Sequence, residues 1–217
     1  MTESQFSEKN GSTRTRPTRR SSSQRADKQA RILAAAADVF VKNGFHETHI
    51  SHIARAAGVA DGTIYLYFPS KEALLAALFE HNVSRFFAVL DSELGALGSP
   101  REKLLRILDL QLGLLDRERG LAELLTVNLR QSSRAMREHV APHFIAYLDR
   151  IEAVVAEGQS SGHFRTDISP RVAARAVFGA LDGVTLTWAL GSGQEGGLVK
   201  AAETVGKVLL DGLLARP

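Results

Sequence analysis

The spacing of apolar residues predicts helices along almost the whole chain, because no segment shows the strict apolar–polar alternation of a half-buried strand. From Asp27 onward, apolar side chains recur every three or four positions, which places them on one face of a helix. The first stripe is formed by Ile32, Leu33, Ala36, Val39 and Phe40. Asn43 and Gly44 then predict the end of this helix. We therefore expect an all-α protein.

Two short helices joined by a sharp turn are predicted next. Thr48 is a suitable N-cap for the first of them, whose inward positions are Ile50, Ile53, Ala54 and Ala57. Gly58 follows, and glycine can adopt the left-handed backbone conformation that a tight turn between two helices requires. This arrangement is typical of a helix-turn-helix unit.

The second short helix is expected over residues 61–68, where aromatic side chains are unusually dense. Ile64 and Phe68 lie four positions apart and share its buried face, which leaves Tyr65 and Tyr67 outside it. Gly62 and Thr63 stand at its N-terminal end, where a recognition helix meets base edges.

A long fourth helix is predicted to begin after Pro69, with Ser70 as its N-cap. Lys71 falls in its first turn, although a cation there opposes the positive end of the helix dipole. Free N–H groups together with an ammonium group form a reasonable phosphate site, so Lys71 is a candidate DNA contact.

The rest of the chain extends the helical pattern to about nine helices. Ser99-Pro100, with Glu102 completing a capping box, and Ser169-Pro170 each predict a helix start. Further helices are expected over residues 121–131, 133–157, 170–190 and about 197–214. The organisation that follows has a disordered basic arm at 1–26, a three-helix DNA-binding unit at 27–87 and a second helical domain at 88–217.

Composition narrows the class of protein. The 217 residues include 44% hydrophobic residues, enough for a sizeable core, and no cysteine, which excludes disulfides, thiolate metal sites and cysteine nucleophiles. The sequence shows neither a signal peptide nor an uninterrupted apolar run long enough to span a membrane. We therefore expect a cytoplasmic protein without a membrane partner. The net charge of +3 mildly favours an anionic partner. The basic arm fits either a solvated tail or a DNA contact.

Residues 48–75, THISHIARAAGVADGTIYLYFPSKEALL, resemble the DNA-binding segment of the TetR family of transcriptional regulators. The resemblance implies an all-α homodimer that binds a palindromic operator through its helix-turn-helix. It implies DNA-binding roles for Thr48, Ala60, Asp61, Gly62, Thr63, Tyr65, Tyr67 and Lys71. Two positions depart from the family pattern: Ala60 stands where serine or threonine is common, and Tyr67 where many relatives have histidine.

Three C-terminal segments, LLTVNLRQS, EGQSSGHFR and VFGALDGVTLTWAL, are similar to acyl-CoA-responsive regulators of fatty-acid metabolism in that family. The resemblance implies a repressor released by long-chain acyl-CoA. The apolar candidates for enclosing an acyl chain are Phe86, Phe87, Leu108, Leu112 and Trp188. Arg130, with Gln131 beside it, is the candidate at the mouth for the CoA phosphates, and a salt bridge within its helix is the alternative for this arginine.

Two other functions stay open at this point: repression of a drug-efflux system induced by an amphipathic drug, and a helical ligand-binding or interaction protein without DNA regulation. Small residues in the helix from Pro170 would let it approach a second copy closely, with the last helix beside it. Catalytic spacings and phosphate-binding glycine loops are not found, so neither an enzyme nor a cofactor is predicted. His46, His49 and His52 are expected to be exposed polar residues rather than metal ligands.

Overall fold

The structure, a computed structural model, describes residues 19–123, 134–191, 194 and 196–214. Within these ranges the chain forms nine helices and one isolated bridge, between Phe164 and Leu214. The helices are α1 (Arg19–Asn43), α2 (Ile50–Ala57), α3 (Asp61–Tyr65), α4 (Lys71–Ala96), α5 (Pro100–Arg117), α6 (Arg119–Glu123), α7 (Arg134–Ser160), α8 (Pro170–Leu190) and α9 (Gly197–Leu213). The predicted all-α class and the approximate number of helices are confirmed.

Several boundaries differ from the sequence prediction. The first helix begins at Arg19, so residues 19–26 of the predicted disordered arm are helical, because no helix breaker separates them from the amphipathic part and helix extension is cooperative. Residues 1–18 lie outside the described ranges. The helix α3 ends at Tyr65 rather than Phe68, and the expected helix 121–131 is described only up to Glu123.

The predicted helix caps have mixed outcomes. The Ser70 side chain accepts a hydrogen bond from the Ala73 N–H at 3.1 Å, which confirms its capping role. Ser99 and Ser169 precede their prolines as predicted, but neither side chain makes a capping hydrogen bond, so the predicted capping box at Ser99 is wrong. Pro100 starts α5 without the box, because its fixed φ already suits the first helical turn.

Two clusters of buried residues divide the molecule. The first joins α1, α2, α3 and the beginning of α4. Its largest fully buried members are Phe40, Ile32, Ile53, Ile64, Leu74 and Leu75. The second joins the end of α4 with α5, α7, α8 and α9, and its fully buried members include Leu90, Leu104, Ile107, Ile151 and Leu181. The proposed boundary between 87 and 88 stays a prediction, since α4 runs unbroken through it.

The helix α4 contributes to both clusters and physically connects them. By length and composition it is the one helix of the described ranges that could cross a bilayer. Its leucines are shared between two protein cores, which accounts for this apolar composition.

A second connection is α6, where a Cβ built on Gly120 would lie 2.2 Å from Cγ1 of Val41 in α1. A glycine at position 120 therefore permits this close approach.

Candidate DNA-binding surface and effector cavity

The turn between α2 and α3 is built as predicted. Gly58 has φ 64° and ψ 41°, in the left-handed region that a side chain would strain. The Val59 N–H donates to the carbonyl oxygen of Ala54 at 3.0 Å, and the Arg31 guanidinium of α1 donates to that of Ala57 at 2.7 Å. The angle between the two short helices is thus fixed both by a backbone hydrogen bond within the turn and by the Arg31 side chain of α1.

The outward face of α3 is formed by residues that the sequence assigned to DNA binding. Ala60, Asp61 and Gly62 are exposed, and Tyr65 is 54% exposed, whereas Ile64 and Phe68 are buried. Thr63 is half-buried beside them. Ala60 is the N-cap and makes no side-chain capping bond, and Asp61 supplies a carboxylate in the first turn, where the helix dipole favours it. The contacts of these residues with DNA stay a prediction.

Lys71 has a different role from the predicted phosphate contact. Its ammonium donates to the carbonyl oxygens of Phe45, His46 and Thr48 at 2.8, 3.0 and 3.0 Å and lies 4.6 Å from the Phe45 ring centroid. A lysine has only three N–H donors, and all three are used inside the chain. In the DNA-free protein Lys71 therefore has a structural role, fastening the loop before α2 to the start of α4, and its contact with a phosphate stays a prediction.

Thr48 also departs from its prediction. Its side chain is 1% exposed, and its hydroxyl donates to the Gly44 carbonyl oxygen at 2.7 Å. His49, not Thr48, is the N-cap of α2. The predicted capping role is wrong, because the hydroxyl is turned into the preceding loop, and a contact of Thr48 with DNA stays a prediction.

Tyr67 is half-buried and faces α1. Its ring lies beside that of Phe68, with centroids 6.4 Å apart, and the Arg25 guanidinium lies 5.6 Å from the centroid of the Tyr67 ring.

Of the three histidines before and within α2, His46 and His49 are exposed and His52 is half-buried, with its Nδ1 buried and unpaired. Among the described residues, no group of three histidine or carboxylate side chains is placed to hold a metal ion.

A cavity of about 180 Å³ lies between α4, α5, α7 and α8. Six aromatic rings form most of its lining: Phe79, Phe86, Phe87, Phe144, Tyr147 and Phe178. Aliphatic and polar members complete it: Val83, Leu114, Leu115, Val140, Asn82, Gln111, His143 and Asp182. Phe144 is 41% exposed and marks the mouth, whereas Tyr147 is only 6% exposed and lies deep inside. The Tyr147 hydroxyl donates to Oε1 of Gln111, and burial raises the pKa of Tyr147, so this pair stays neutral.

The predicted effector residues separate into three groups. Phe86 and Phe87 line the cavity, as expected of ligand contacts. Leu108 and Leu112 do not, because they belong to the buried core on another face of α5; Cδ2 of Leu108 lies 3.7 Å from a Cβ built on Gly206 of α9. Both residues pack in the core of the ligand-free protein, and their contact with an effector stays a prediction. Arg130 and Gln131 lie outside the described residues.

Trp188 is also away from the cavity lining. Its indole N–H donates to the Gln194 carbonyl oxygen at 3.0 Å, and the Arg119 guanidinium lies 5.8 Å from its ring centroid. Sequence reasoning missed most of the cavity lining, including Tyr147, Phe178 and Gln111. Phe178 is an apolar position of α8, and helical spacing gives no sign that its face meets Phe144, whose ring centroid is 4.7 Å away.

Side chains join α4 to α7 at two levels along these helices. Arg150 makes a two-pronged contact with Asp91 at 2.7 and 2.8 Å and lies 4.1 Å from the Phe87 ring centroid. The hydrogen bond from Arg150 lowers the pKa of Asp91. Nearer the DNA-binding unit, Glu80 lies 3.9 Å from Nε2 of both His139 and His143.

An exposed stripe of apolar and small residues runs along α8. Its members are Val172, Ala176, Gly179, Gly183 and Leu190, spaced so that they share one helix face. On α9, Val199 and Val208 are exposed as well. Small residues between larger apolar ones allow two helices to approach closely, which is the chemistry of a helix–helix interface.

Known proteins resemble the chain over both clusters. Residues 32–78 match the family described as bacterial regulatory proteins, tetR family, and residues 79–212 match the YsiA-like protein, C-terminal region. The fatty acid metabolism regulator protein of Bacillus subtilis is 32% identical over 190 residues, which are 88% of this chain and 97% of that protein.

Solved structures agree with these matches. FadR from Bacillus subtilis in complex with stearoyl-CoA has a TM-score of 0.80 at 32% identity, covering 84% of this chain and 98% of that one. The fatty acid degradation regulator FadR from Bacillus halodurans has a TM-score of 0.81 at 33% identity, covering 87% and 97%.

Proposed function

The chain belongs to the TetR family of bacterial regulatory proteins, and from that premise we propose that it is a cytoplasmic repressor released from a palindromic operator by long-chain acyl-CoA. Its helix-turn-helix is the DNA-binding unit of a transcriptional regulator. The genes it controls are those of fatty-acid metabolism, and the protein itself carries out no reaction. The solved relative that holds stearoyl-CoA supports this choice of effector.

One observation carries the proposal: two side chains belong both to the cavity wall and to the core of the DNA-binding unit. Phe79 of α4 and Val140 of α7 line the cavity and are buried in the first cluster. An acyl chain that fills the cavity therefore contacts the packing that positions α3. Each methylene it buries contributes about 0.8 kcal/mol, so affinity should grow with chain length.

Release requires the effector to bind one arrangement of the two recognition helices more tightly than the other, since equal affinity would shift nothing. The lever is α4, which holds Lys71 against the helix-turn-helix at one end and carries Phe86 and Phe87 on the cavity at the other. A small movement of α4 changes the separation of the two α3 helices and their fit to successive major grooves.

The dimer that this mechanism needs is formed, in our proposal, by the exposed stripe of α8 with α9. Two copies of each helix would pack across a two-fold axis as a four-helix bundle. The open space around Gly179 and Gly183 and the exposure of Leu190 support this surface.

The head group of acyl-CoA requires cations for its phosphates. Among the described residues, the cavity lining contains no arginine or lysine, and Arg130 remains the proposed contact at the mouth. The exposed ring of Phe144, in the N-terminal half of α7, supports a mouth at this end of the helix, which is the part of α7 nearest in sequence to Arg130.

A second candidate effector is a cationic amphipathic drug, which would make the protein a regulator of efflux. Asp182 places a carboxylate among aromatic rings in the cavity, one turn after Phe178. Aromatic faces and a carboxylate together attract organic cations.

A titration of the pre-formed protein–operator complex distinguishes these candidates. Acyl-CoAs of increasing length, the matching free acids and a cationic amphipathic drug are added, and dissociation is followed by fluorescence anisotropy. We expect release only by the long-chain esters. Release by the cationic compound alone would replace the fatty-acid proposal with the efflux one, and release by the free acids would exclude a role for the CoA group.

Two matched substitutions on α4 test whether the effector releases the protein from DNA by binding in this cavity. Val83→Phe places a ring in the cavity and should abolish release while operator affinity is kept. Val89→Phe alters an exposed position of the same helix and is the control. Equal release from both variants would show that the effector binds elsewhere.

A further inference from the structure

A second concave surface lies on the DNA-binding unit, between the first half of α1 and the residues that follow α3. We refer to it as the basic groove; its volume is about 710 Å³. It is lined by Gln24, Arg25, Asp27, Lys28, Arg31, Leu66 and Tyr67. The α1 members recur at helical spacing, so they form one face of that helix.

The groove has an excess of positive charge. Three cations, Arg25, Lys28 and Arg31, are opposed by one carboxylate, Asp27, which leaves a charge of +2 on this face. Lys28 is exposed, and within the described residues its ammonium has no hydrogen-bond or ion-pair partner. An open surface of this charge is suited to an extended anion rather than to an apolar ligand.

The walls of the groove are fixed to the helix-turn-helix. The Arg31 guanidinium donates to the Ala57 carbonyl oxygen at 2.7 Å, which braces α1 against the turn. The Arg25 guanidinium lies 5.6 Å from the ring centroid of Tyr67, two residues after the end of α3. Arg25 and Arg31 therefore hold a defined position relative to the recognition helix.

We propose that the basic groove binds the sugar-phosphate backbone of the operator beside the major groove that α3 enters. Arg25 and Lys28 contact phosphates, and Tyr67 is a positioning residue whose ring places the Arg25 guanidinium. A helix in the major groove has a sugar-phosphate backbone on each side. Contacts to either backbone set the orientation of the protein on the DNA without reading the base sequence. This inference rests on the DNA binding of the family and not on the acyl-CoA effector, so the two can fail separately.

The salt dependence of operator binding tests the contact residues. The logarithm of the binding constant falls with the logarithm of salt concentration by about 0.9 per phosphate contact, so Lys28→Ala in both subunits should reduce the slope by about 1.8. Preference between operator and altered operators should be unchanged. Arg101→Ala, at an exposed position of α5 in the effector domain, is the control and should keep the full slope.

An unchanged slope in both Lys28→Ala and Arg25→Ala, with Arg101→Ala as reference, would overturn the proposal. So would a loss of base preference at constant slope, because it would mean that these side chains read bases. Both residues are exposed on a long helix, and an unaltered thermal unfolding curve verifies that the variants fold.

Two substitutions of Tyr67 test its positioning role. Tyr67→Phe retains the ring beneath Arg25 and should keep the slope, whereas Tyr67→Leu removes the ring and should lower it as far as Arg25→Ala does. The combination of Tyr67→Leu with Arg25→Ala should then add nothing further. If Tyr67→Phe lowers the slope as much as Tyr67→Leu, the ring does not suffice to place the Arg25 guanidinium and the positioning role is wrong.

Discussion

The DNA-binding unit and the effector domain each have an apolar core of packed helices, but they differ in the contacts that surround that core. Short helices in the first are fixed by side chains that donate to backbone carbonyl groups: Arg31 to Ala57, Thr48 to Gly44, and Lys71 to three residues of one loop. Long helices in the second pack through a large apolar core and enclose an aromatic cavity. Directional hydrogen bonds keep the position and orientation of α3 fixed. Non-directional apolar packing can rearrange around a ligand.

The largest effect is expected from the core of the effector domain. Leu112→Ala should lower the free energy of unfolding by about 2–5 kcal/mol, because it leaves a cavity at a fully buried position. The order in which acyl-CoAs of different length bind should be unchanged, since Leu112 does not line the effector cavity. Chemical denaturation and a chain-length titration measure the two quantities. A normal stability with an altered chain-length order would restore Leu112 as a ligand contact.

The next largest effect is expected from losing the hydrogen bonds that Lys71 makes in the DNA-binding unit. Lys71→Ala removes three hydrogen bonds from a charged donor, each worth about 1.5–3 kcal/mol at a buried site and less at this half-exposed one. We expect a lower melting temperature of the DNA-binding unit and weaker operator binding. The salt slope of the remaining binding should match the unsubstituted protein. A reduced slope would instead support a direct phosphate contact by Lys71.

The turn gives a smaller change in stability with a selective loss of function. Gly58→Val forces a β-branched residue into the left-handed region, at a cost of about 1–2 kcal/mol. Operator binding should be lost in a gel shift, while gel filtration still shows a dimer and acyl-CoA still binds. Gly95→Ala, in open space within α4, is the control. A monomeric Gly58→Val protein would contradict the separation of the two regions.

The smallest effect is a dependence on pH at the α4–α7 contact. The pKa of Asp91 is lowered below its ordinary value of 3.8 in the folded protein, chiefly by the hydrogen bond from Arg150. The pair therefore stabilises the fold above that ordinary value and ceases to do so as pH falls through the lowered one. Because Asp91 is largely exposed and screened by solvent, Asp91→Asn should cost only about 0.2–1 kcal/mol at neutral pH. Unfolding measured against pH should show this difference vanish in acid; a constant difference would contradict it.

The sequence by itself determined the helical class, the left-handed turn at Gly58, the cap at Ser70 and the exposure of Tyr65. Each depends on a few adjacent residues, whose backbone preferences and helical spacing act locally. The same local information identified the family through residues 48–75.

Only the tertiary structure decided which partners the remaining side chains have. Lys71 reaches carbonyl groups more than twenty positions earlier in the chain, so its three bonds are invisible in the pattern around it. On α5, Leu112 enters the core while its neighbour Gln111 lines the cavity beside Tyr147 of α7. Helical spacing shows that a face is apolar, but a core and a ligand cavity are equally apolar. What separates them is whether the helices opposite fill the space, and that depends on chain segments far apart in sequence.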